Sequence, residues 1–506
     1  MAGHGALAAA PVVLNMRLLG ADFVAAAADA AAAITVIEKG AVAIEGDRIL
    51  DIGLAADLAT RYISAEREQF PDAILMPGFV NAHQHGRGLS QIQLGYPDDQ
   101  LEPWIARRRG RGAPDAYALT RLAAEEMLAN GVTATLHANY SYASGDYEGE
   151  LRASIRAYVE TGLRATVCVG YADRGSLVYP PADENVFRAG LSADAQALLQ
   201  SAHPAWLSLE ETLSLMTRLC EEFANHPTIT LAYGPAGPQW VSDAAWRAMA
   251  EDATRRGLGL HFHLLESPAQ AACAKILYPE GVLNRLQALG VFEARASAAH
   301  FAQTTESDIA DAARMGLVIV SNPGSNMRLG NGPPNIARWK AAGLDVALGT
   351  DNCALQDSED YLSELRLGGL LVRGNATADK FDAASTLLMG TDAGTRAAFL
   401  NHTGRLAPGM KADLLALDLS RLRGAYLDDD ADLLGMVIAR GLGSDVLMTM
   451  VNGVDRYRRG TCDQRRKQAA ELAAKTAAAS RSAGEDAFSA AAEIAEAIRN
   501  HYAGHA

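Results

Sequence analysis

The sequence predicts an α/β protein: a closed (β/α)8 barrel carrying a small β-sandwich built from both of its flanks. Three observations lead there. One junction recurs six times, a helical stretch, a glycine and then an apolar β-rich run: "EEMLANGVTATLHANY" (Gly131), "VETGLRATVCVGY" (Gly162), "ATRRGLGLHFHL" (Gly257), "LQALGVFEARASAAH" (Gly290), "AARMGLVIVSNP" (Gly316) and "WKAAGLDVALGTD" (Gly343). Glycine just past a helix end accepts the left-handed conformation that closes the helix, and the apolar run then enters as a buried parallel strand. Adding "ILMPGFVNAHQH" in front and "TITLAYGP" (228–235) raises the count to eight candidate strands between 74 and 351. Alternating β and α units in that number imply a parallel barrel with helices outside. The third observation is that the flanks follow a different period, alternating apolar and polar residues as antiparallel strands do.

Taken in chain order, the segment "MAGHGALAAAPVVLNMRLLG" lacks a basic start before its apolar stretch, so no secretory signal is read there, nor a transmembrane span anywhere. "ITVIEKGAVAIEGDRILDIG" (34–53) alternates around a Gly-Asp turn and predicts a hairpin. Between 76 and 404 the barrel follows; an open doubly wound sheet would want a glycine-rich phosphate loop after its first strand, where this chain has histidines. "GMKADLLALDL" (409–419) and "DVLMTMVNGVDRYRRG" (445–460) return to the flank pattern, so residues 1–75 and 405–460 are expected to share one sandwich. The remainder, 461–506, is rich in Ala, Glu, Lys and Arg and reads as helix, packed on its own chain, on a neighbouring subunit, or fraying.

Bulk properties narrow the function. Apolar content of 49% and charged content of 21% over 506 residues describe a globular protein with an ample core. A net charge of -15 argues against nucleic acid or an anionic membrane as a partner. One basic run interrupts the acidity: "ARRRGRG" (106–112), four arginines in five positions, either a solvated face or a seat for an anionic substrate group. Five cysteines (168, 220, 273, 353, 462) form no CxxC pair, which fits reduced thiols in a cytoplasmic protein.

The chemistry sits at the strand ends, where barrels of this kind carry their sites. Only 12 histidines occur, yet His83 and His85 stand one residue apart at the end of strand one. On a strand, i and i+2 share a face, so the two rings would project side by side, about 6–7 Å apart. Strand five ends in His263 with Glu266 three residues on, strand six in His300, strand eight in Asp351. Three imidazoles and a carboxylate suit a borderline divalent ion, Zn²⁺ or Fe²⁺.

"PGFVNAHQH", "HFHLLES", "AAHFAQTTE", "SNPGSNMRLGNG" and "ALGTDN" together resemble the serial motifs of the amidohydrolase superfamily, in particular its mononuclear branch of aromatic-ring deaminases and chlorohydrolases, and "GRLAPGMKADLLALDL" resembles that branch's sandwich strands. The resemblance spans about residues 34–458. It implies that His83, His85, His263 and Asp351 hold one metal, and that Glu266 and His300 serve catalysis beside it. Binuclear members bridge two metals through a carboxylated lysine at the end of strand four; "TITLAYGPAGPQW" has no lysine, so one ion is implied. The metal would lower the pKa of a bound water. Asp351 would be the general base, Glu266 the acid that protonates a ring nitrogen and then the leaving group, and His300 the group that polarises the water or steadies the oxyanion. The implied partners are a small heterocycle (pyrimidine, purine, pterin or triazine) and water, in an enzyme that is a homo-oligomer like many relatives.

Substrate contacts are read from position. Trp104 lies where relatives carry an aromatic after strand one and either stacks on a ring or anchors the loop. His137 ends strand two, as pocket wall or as a satisfied core histidine. Gln239 and Trp240 follow strand four, where "GPAGP" replaces the "PHA" of many deaminases in this branch; Asn352 adjoins Asp351. His261 shares the His263 face as a candidate brace, while Asn322, Ser325 and Asn326 are expected to support the metal shell. Two alternatives stand beside deamination: the same site releasing chloride or an alkylamine or cleaving an amide or urea, and a non-catalytic scaffold.

Overall fold

The computed structural model describes residues 16–27, 34–175, 177–202, 205–351, 357–373, 382–483 and 487–503. Among these residues sixteen strands fall in two sheets. In chain order they are β1 (Met16–Ala27), β2 (Ile34–Glu38), β3 (Gly40–Glu45), β4 (Arg48–Leu54), β5 (Glu66–Pro77), β6 (Phe79–Gln84), β7 (Val132–Ala138), β8 (Arg164–Tyr171), β9 (Ile229–Pro235), β10 (Gly259–Leu264), β11 (Arg295–His300), β12 (Val318–Ser321), β13 (Val346–Leu348), β14 (Leu414–Asp418), β15 (Val446–Val451) and β16 (Val454–Arg458).

Strands β6 to β13 pair in sequence order, every ladder parallel. A Gln84–Asp351 bridge returns the last strand to the first and closes the barrel. Helices cover the outside, so β7 and β8 are buried along their whole length, which is why both are mainly apolar, with Thr133, Thr135, His137, Arg164 and Thr166 as buried polar exceptions. All six junction glycines carry positive φ, between 66° and 82°. Gly162 and Gly257 show the cause, each ending its helix in the left-handed conformation with its N–H on a carbonyl of the last turn.

The flank strands form one continuous sheet in the order β16-β15-β14-β5-β1-β3-β4, with β2 on β1. The antiparallel β5–β14 ladder joins the two flanks. Alternation then divides the side chains: Leu75, Leu414 and Ala416 face a core shared with Leu19, Val42, Ile44 and Met448, while Ile74, Met76, Leu415 and Leu417 turn to the barrel core. The 34–53 hairpin is present as β3–β4. Gly78 separates β5 from β6, so "ILMP" belongs to the outer sheet and the first barrel strand starts at Phe79.

A buried ion pair ties the two sheets together. Asp413 accepts from Arg164 Nε at 2.7 Å and Nη2 at 3.1 Å, from Thr403 Oγ1 at 2.7 Å and from the Asn452 N–H at 2.6 Å. Burial pushes this carboxyl up, but Arg164 and the other donors outweigh it and hold it below its ordinary range. A folded-state pKa below the unfolded one contributes stability above the unfolded value and loses it as pH falls through the folded value. Asp413→Ala is therefore expected to cost about 3–5 kcal/mol at neutral pH, because it strands a buried guanidinium. Urea unfolding should show this difference shrinking in acid.

The tail is helical and packs on its own chain. Asp463–Ala483 lays Ala469 and Ala473 on Leu119 and Leu122, with Arg465 on Glu125 and Arg466 on Glu126. Ala487–Ala503 buries Ile494 and Ile498 against Ala106 and Leu199, and Arg499 pairs with Asp99. No described helix is long and apolar enough to cross a membrane.

Candidate metal centre and catalytic pocket

Three features place side chains at the C-terminal mouth of the barrel. The first is the closure itself: Thr350 and Asp351 donate their N–H groups to the His83 carbonyl at 3.1 and 3.0 Å. Asn81 reinforces it, donating to Thr350 Oγ1 at 2.7 Å and accepting from Thr350 N at 3.1 Å. The second is the glycine at 349, where a Cβ would stand 2.8 Å from both Cβ and carbonyl oxygen of His83. The third is backbone in a region that only glycine enters cheaply: His300 has φ 76° and Asp351 φ 52°. Each such residue costs about 1–3 kcal/mol and persists where the surroundings enforce it.

His83, His85 and His263 offer ring nitrogens that all lie within 4.8 Å of one another, and His83, His300 and Asp351 form a second such set. Asp351 Oδ1 is 3.1 Å from His85 Nε2 and 3.6 Å from His83 Nε2. The hydrogen bonds decide which nitrogen of each ring is free. His85 Nδ1 lies 2.6 Å from the Ala138 carbonyl and His263 Nδ1 2.8 Å from that of Ala236. A carbonyl only accepts, so both Nδ1 atoms carry the proton and both Nε2 lone pairs are free.

For His83 the same conclusion follows through a relay. Ser297 donates its hydroxyl to the Ala397 carbonyl at 2.8 Å, which leaves its oxygen to accept from His261 Nδ1 at 2.8 Å. His261 Nε2 must then accept from His83 Nδ1, also at 2.8 Å. Among the described residues His83 Nε2 is left buried with no hydrogen-bond partner, as is Nε2 of His300, whose Nδ1 is held by Asn326 Oδ1 at 2.8 Å. Burial keeps the rings neutral: the His83 pKa is drawn down to about 4, and those of His85, His263 and His300 fall as well. Neutral imidazoles with free Nε2 lone pairs, two of them facing a carboxylate, are a donor set that fits a divalent ion.

The two site carboxyls are driven apart. Burial pushes Asp351 up, but a cation on the side of its Oδ1 that faces His83 and His85, a proton on Nε2 or a metal ion in its place, outweighs it and holds it well below its ordinary range; Ser325 Oγ also donates to its Oδ2 at 2.5 Å. Burial, then the charges of Asp351 and Glu102, push Glu266 well above its ordinary value. Its Oε1 accepts from Asn331 Nδ2 at 3.1 Å and lies 3.6 Å from His300 Nε2, and Gln270 Nε2 approaches Oε2 at 3.4 Å.

The remaining expected residues fall into place unevenly. Trp240 stands edge-on to His263 with centroids 6.4 Å apart, and the buried Gln239 Nε2 has no partner. Both ring nitrogens of His137 are taken by the protein, through Tyr158 and Asn139 at 2.7 and 3.1 Å. Trp104 is 2% exposed and packs with Leu101 and Leu329, beneath the Arg108 guanidinium. Asn352 lies outside the described residues. Glu102, buried and accepting from Ser267 and Tyr179, was not anticipated; its one signal is a carboxylate in the otherwise apolar turn "LEPW".

The amidohydrolase family model matches residues 74–455, the span that holds the whole barrel and every site residue above. The chain belongs to the amidohydrolase family. Over 425 residues this amidohydrolase is 28% identical to a 5'-deoxyadenosine deaminase of Methanosarcina barkeri, covering 82% of its own length and 88% of that protein. It is 30% identical over 390 residues to a 5-methylthioadenosine/S-adenosylhomocysteine deaminase of Teredinibacter turnerae, covering 75% and 79%. Its fold matches a crystal structure of an adenosine deaminase from Xanthomonas campestris with bound zinc, at TM-score 0.75 and 26% identity over 91% of this chain and 98% of that one.

Proposed function

We propose that this amidohydrolase deaminates a nitrogen heterocycle hydrolytically, with one zinc ion held by His83, His85, His263 and Asp351. The observation that carries the reading is the meeting of two close ligand sets at His83, one with His85 and His263 and one with His300 and Asp351, with Glu266, its pKa raised well above the ordinary value, 3.6 Å from His300 Nε2. A divalent ion bound there supplies a Lewis acid and brings the pKa of a coordinated water toward neutrality. The residues do the rest. Asp351, ionised, receives the water's proton. His300 Nε2, free to accept, orients the water toward the ring carbon. Glu266 donates its proton to the neighbouring ring nitrogen, takes up the proton of the newly added hydroxyl and passes it to the departing amine, and Asp351 returns the water's first proton to Glu266, so a C–O bond forms, a C–N bond breaks and ammonia leaves.

Nitrogen-rich donors favour zinc over harder ions, and the zinc bound in the Xanthomonas relative supports the same choice. The adenosine-type relatives support a ring with an exocyclic amine. Their ribosyl specificity is not carried over, because Ala236 and Gly237 stand where many deaminases of the branch place a histidine. Four described cysteines are free thiols, which supports a reducing, cytoplasmic setting.

The test is a panel of amino-purines, -pyrimidines, -pterins and -triazines offered to the zinc-loaded protein. Ammonia from at least one, abolished by a chelator and restored by zinc, is the expected outcome; release of only chloride or alkylamine would reassign the leaving group. The relay makes a separate prediction. His261→Leu leaves His83 without its Nδ1 acceptor and should weaken metal affinity about 10–100-fold, read by chelator competition, with the fold intact.

A further inference from the structure

The arginine run singled out in the sequence is not used by the chemistry above, yet part of it lies beside the site. Arg87 follows His85 by two residues, and Arg108 sits at the end of the helix Leu101–Arg107, in the same loop after β6. The loop after β7 brings Tyr140 and Tyr142 against them. The Arg87 guanidinium carbon is 5.2 Å from the Tyr140 ring centroid and 5.0 Å from that of Tyr142. Arg108 lies 5.0 Å from Tyr140 and 5.3 Å from Trp104. Tyr140 in turn stands edge-on to His85, centroids 5.5 Å apart. One tyrosine ring is thus the wall shared by the candidate metal centre and two guanidinium groups.

These cations lack what other sheltered arginines have. Arg164 has Asp413, Arg17 has Glu68 and Asp455, and Arg328 has Asp98 and Asp357. Among the described residues no carboxylate pairs with Arg87 or Arg108, in a chain of net charge -15. Arg87 Nε and Nη2 are buried and make no hydrogen bond among the described residues. Burial and the neighbouring Arg87 draw the Arg108 guanidinium down to about 10, so it is still charged at neutral pH. Cation–π contact contributes only about 0.5–2 kcal/mol, less than the several kcal/mol of removing a charge from water, and two like charges side by side add to the cost. Buried unpaired donors of this kind call for a partner.

We propose that Arg87 and Arg108 form an anion subsite that takes a carboxylate or phosphate carried by the substrate. Aromatic rings flank the half-buried guanidinium groups, and two planar forks suit the paired oxygens of either group. The proposal rests on the hydrolase reading in treating the ligand as substrate, and it narrows the substrate class to anionic heterocycles.

The experiment measures binding of benzoate, phenyl phosphate and neutral benzamide to the zinc-loaded full chain by calorimetry, the first two arms separating carboxylate from phosphate. At least one anion should bind about ten-fold or more tighter than benzamide, and the preference should vanish in Arg87→Gln and Arg108→Gln. Equal or undetectable binding of anion and amide overturns the proposal. So does a preference that survives both substitutions, since it then belongs to the metal. Should a glutamine variant not fold, Arg108→Lys, which keeps the charge and loses the fork, is expected to lose about three-fold or more of the preference, and an unchanged preference is again fatal. Failure of every heterocycle to release ammonia would refute the deaminase reading and leave this binding result standing.

Discussion

Glu266→Gln is expected to bind a stoichiometric divalent ion and to lose about 10³-fold in kcat. The amide is nearly isosteric and still accepts from Asn331 through its oxygen, so the pocket and the centre beside it should hold their shape. What it cannot do is deliver a proton to a ring nitrogen and recover one for the departing amine. The raised pKa of Glu266, a consequence of burial and of the nearby Asp351 and Glu102 charges, favours the protonated form that this step requires. Metal analysis and single-turnover kinetics on the same sample check both halves. A variant near the wild-type rate on its true substrate would remove Glu266 from the chemistry, and a variant without metal would make its role structural.

His83→Ala should lose metal and turnover together, activity falling below detection. Its Nε2 belongs to both close ligand sets, and its Nδ1 anchors the relay through His261 and Ser297 to the Ala397 carbonyl. Losing it removes a direct ligand, so the loss of affinity should exceed the ~10–100-fold expected for an outer partner such as His261. The fold should survive, because the barrel closes through the backbone of residue 83 and through Asn81 and Thr350. Zinc content after dialysis, alongside the unfolding midpoint, separates the two effects: stoichiometric zinc in a folded His83→Ala protein would exclude this residue as a ligand.

Period and punctuation made much of this architecture readable in advance. The glycine at each of the six junctions announces a left-handed cap, and the strand that follows is mainly apolar on both faces because helices cover one and the barrel interior the other. Strand β1 was not readable. "MRLLGADFVAAA" favours helix by its alanine and leucine content, and becomes a strand because β2, β3 and β5 offer it partners on both edges. The division at Gly78 was equally hidden: "ILMP" and "FVNA" are alike in polarity, and only pairing with β14 on one side and β7 on the other separates them.

What the chain determined by itself was the list of chemical groups and their order, since a strand's period of two and the position of each strand end are local properties. Which nitrogen of each imidazole is free, which carboxyl is charged and which arginines have no acid among the described residues were settled only by the tertiary structure. Those depend on Ala138, Ala236, Ser297 and Tyr140 arriving from distant strands, and on a burial that no single segment can create.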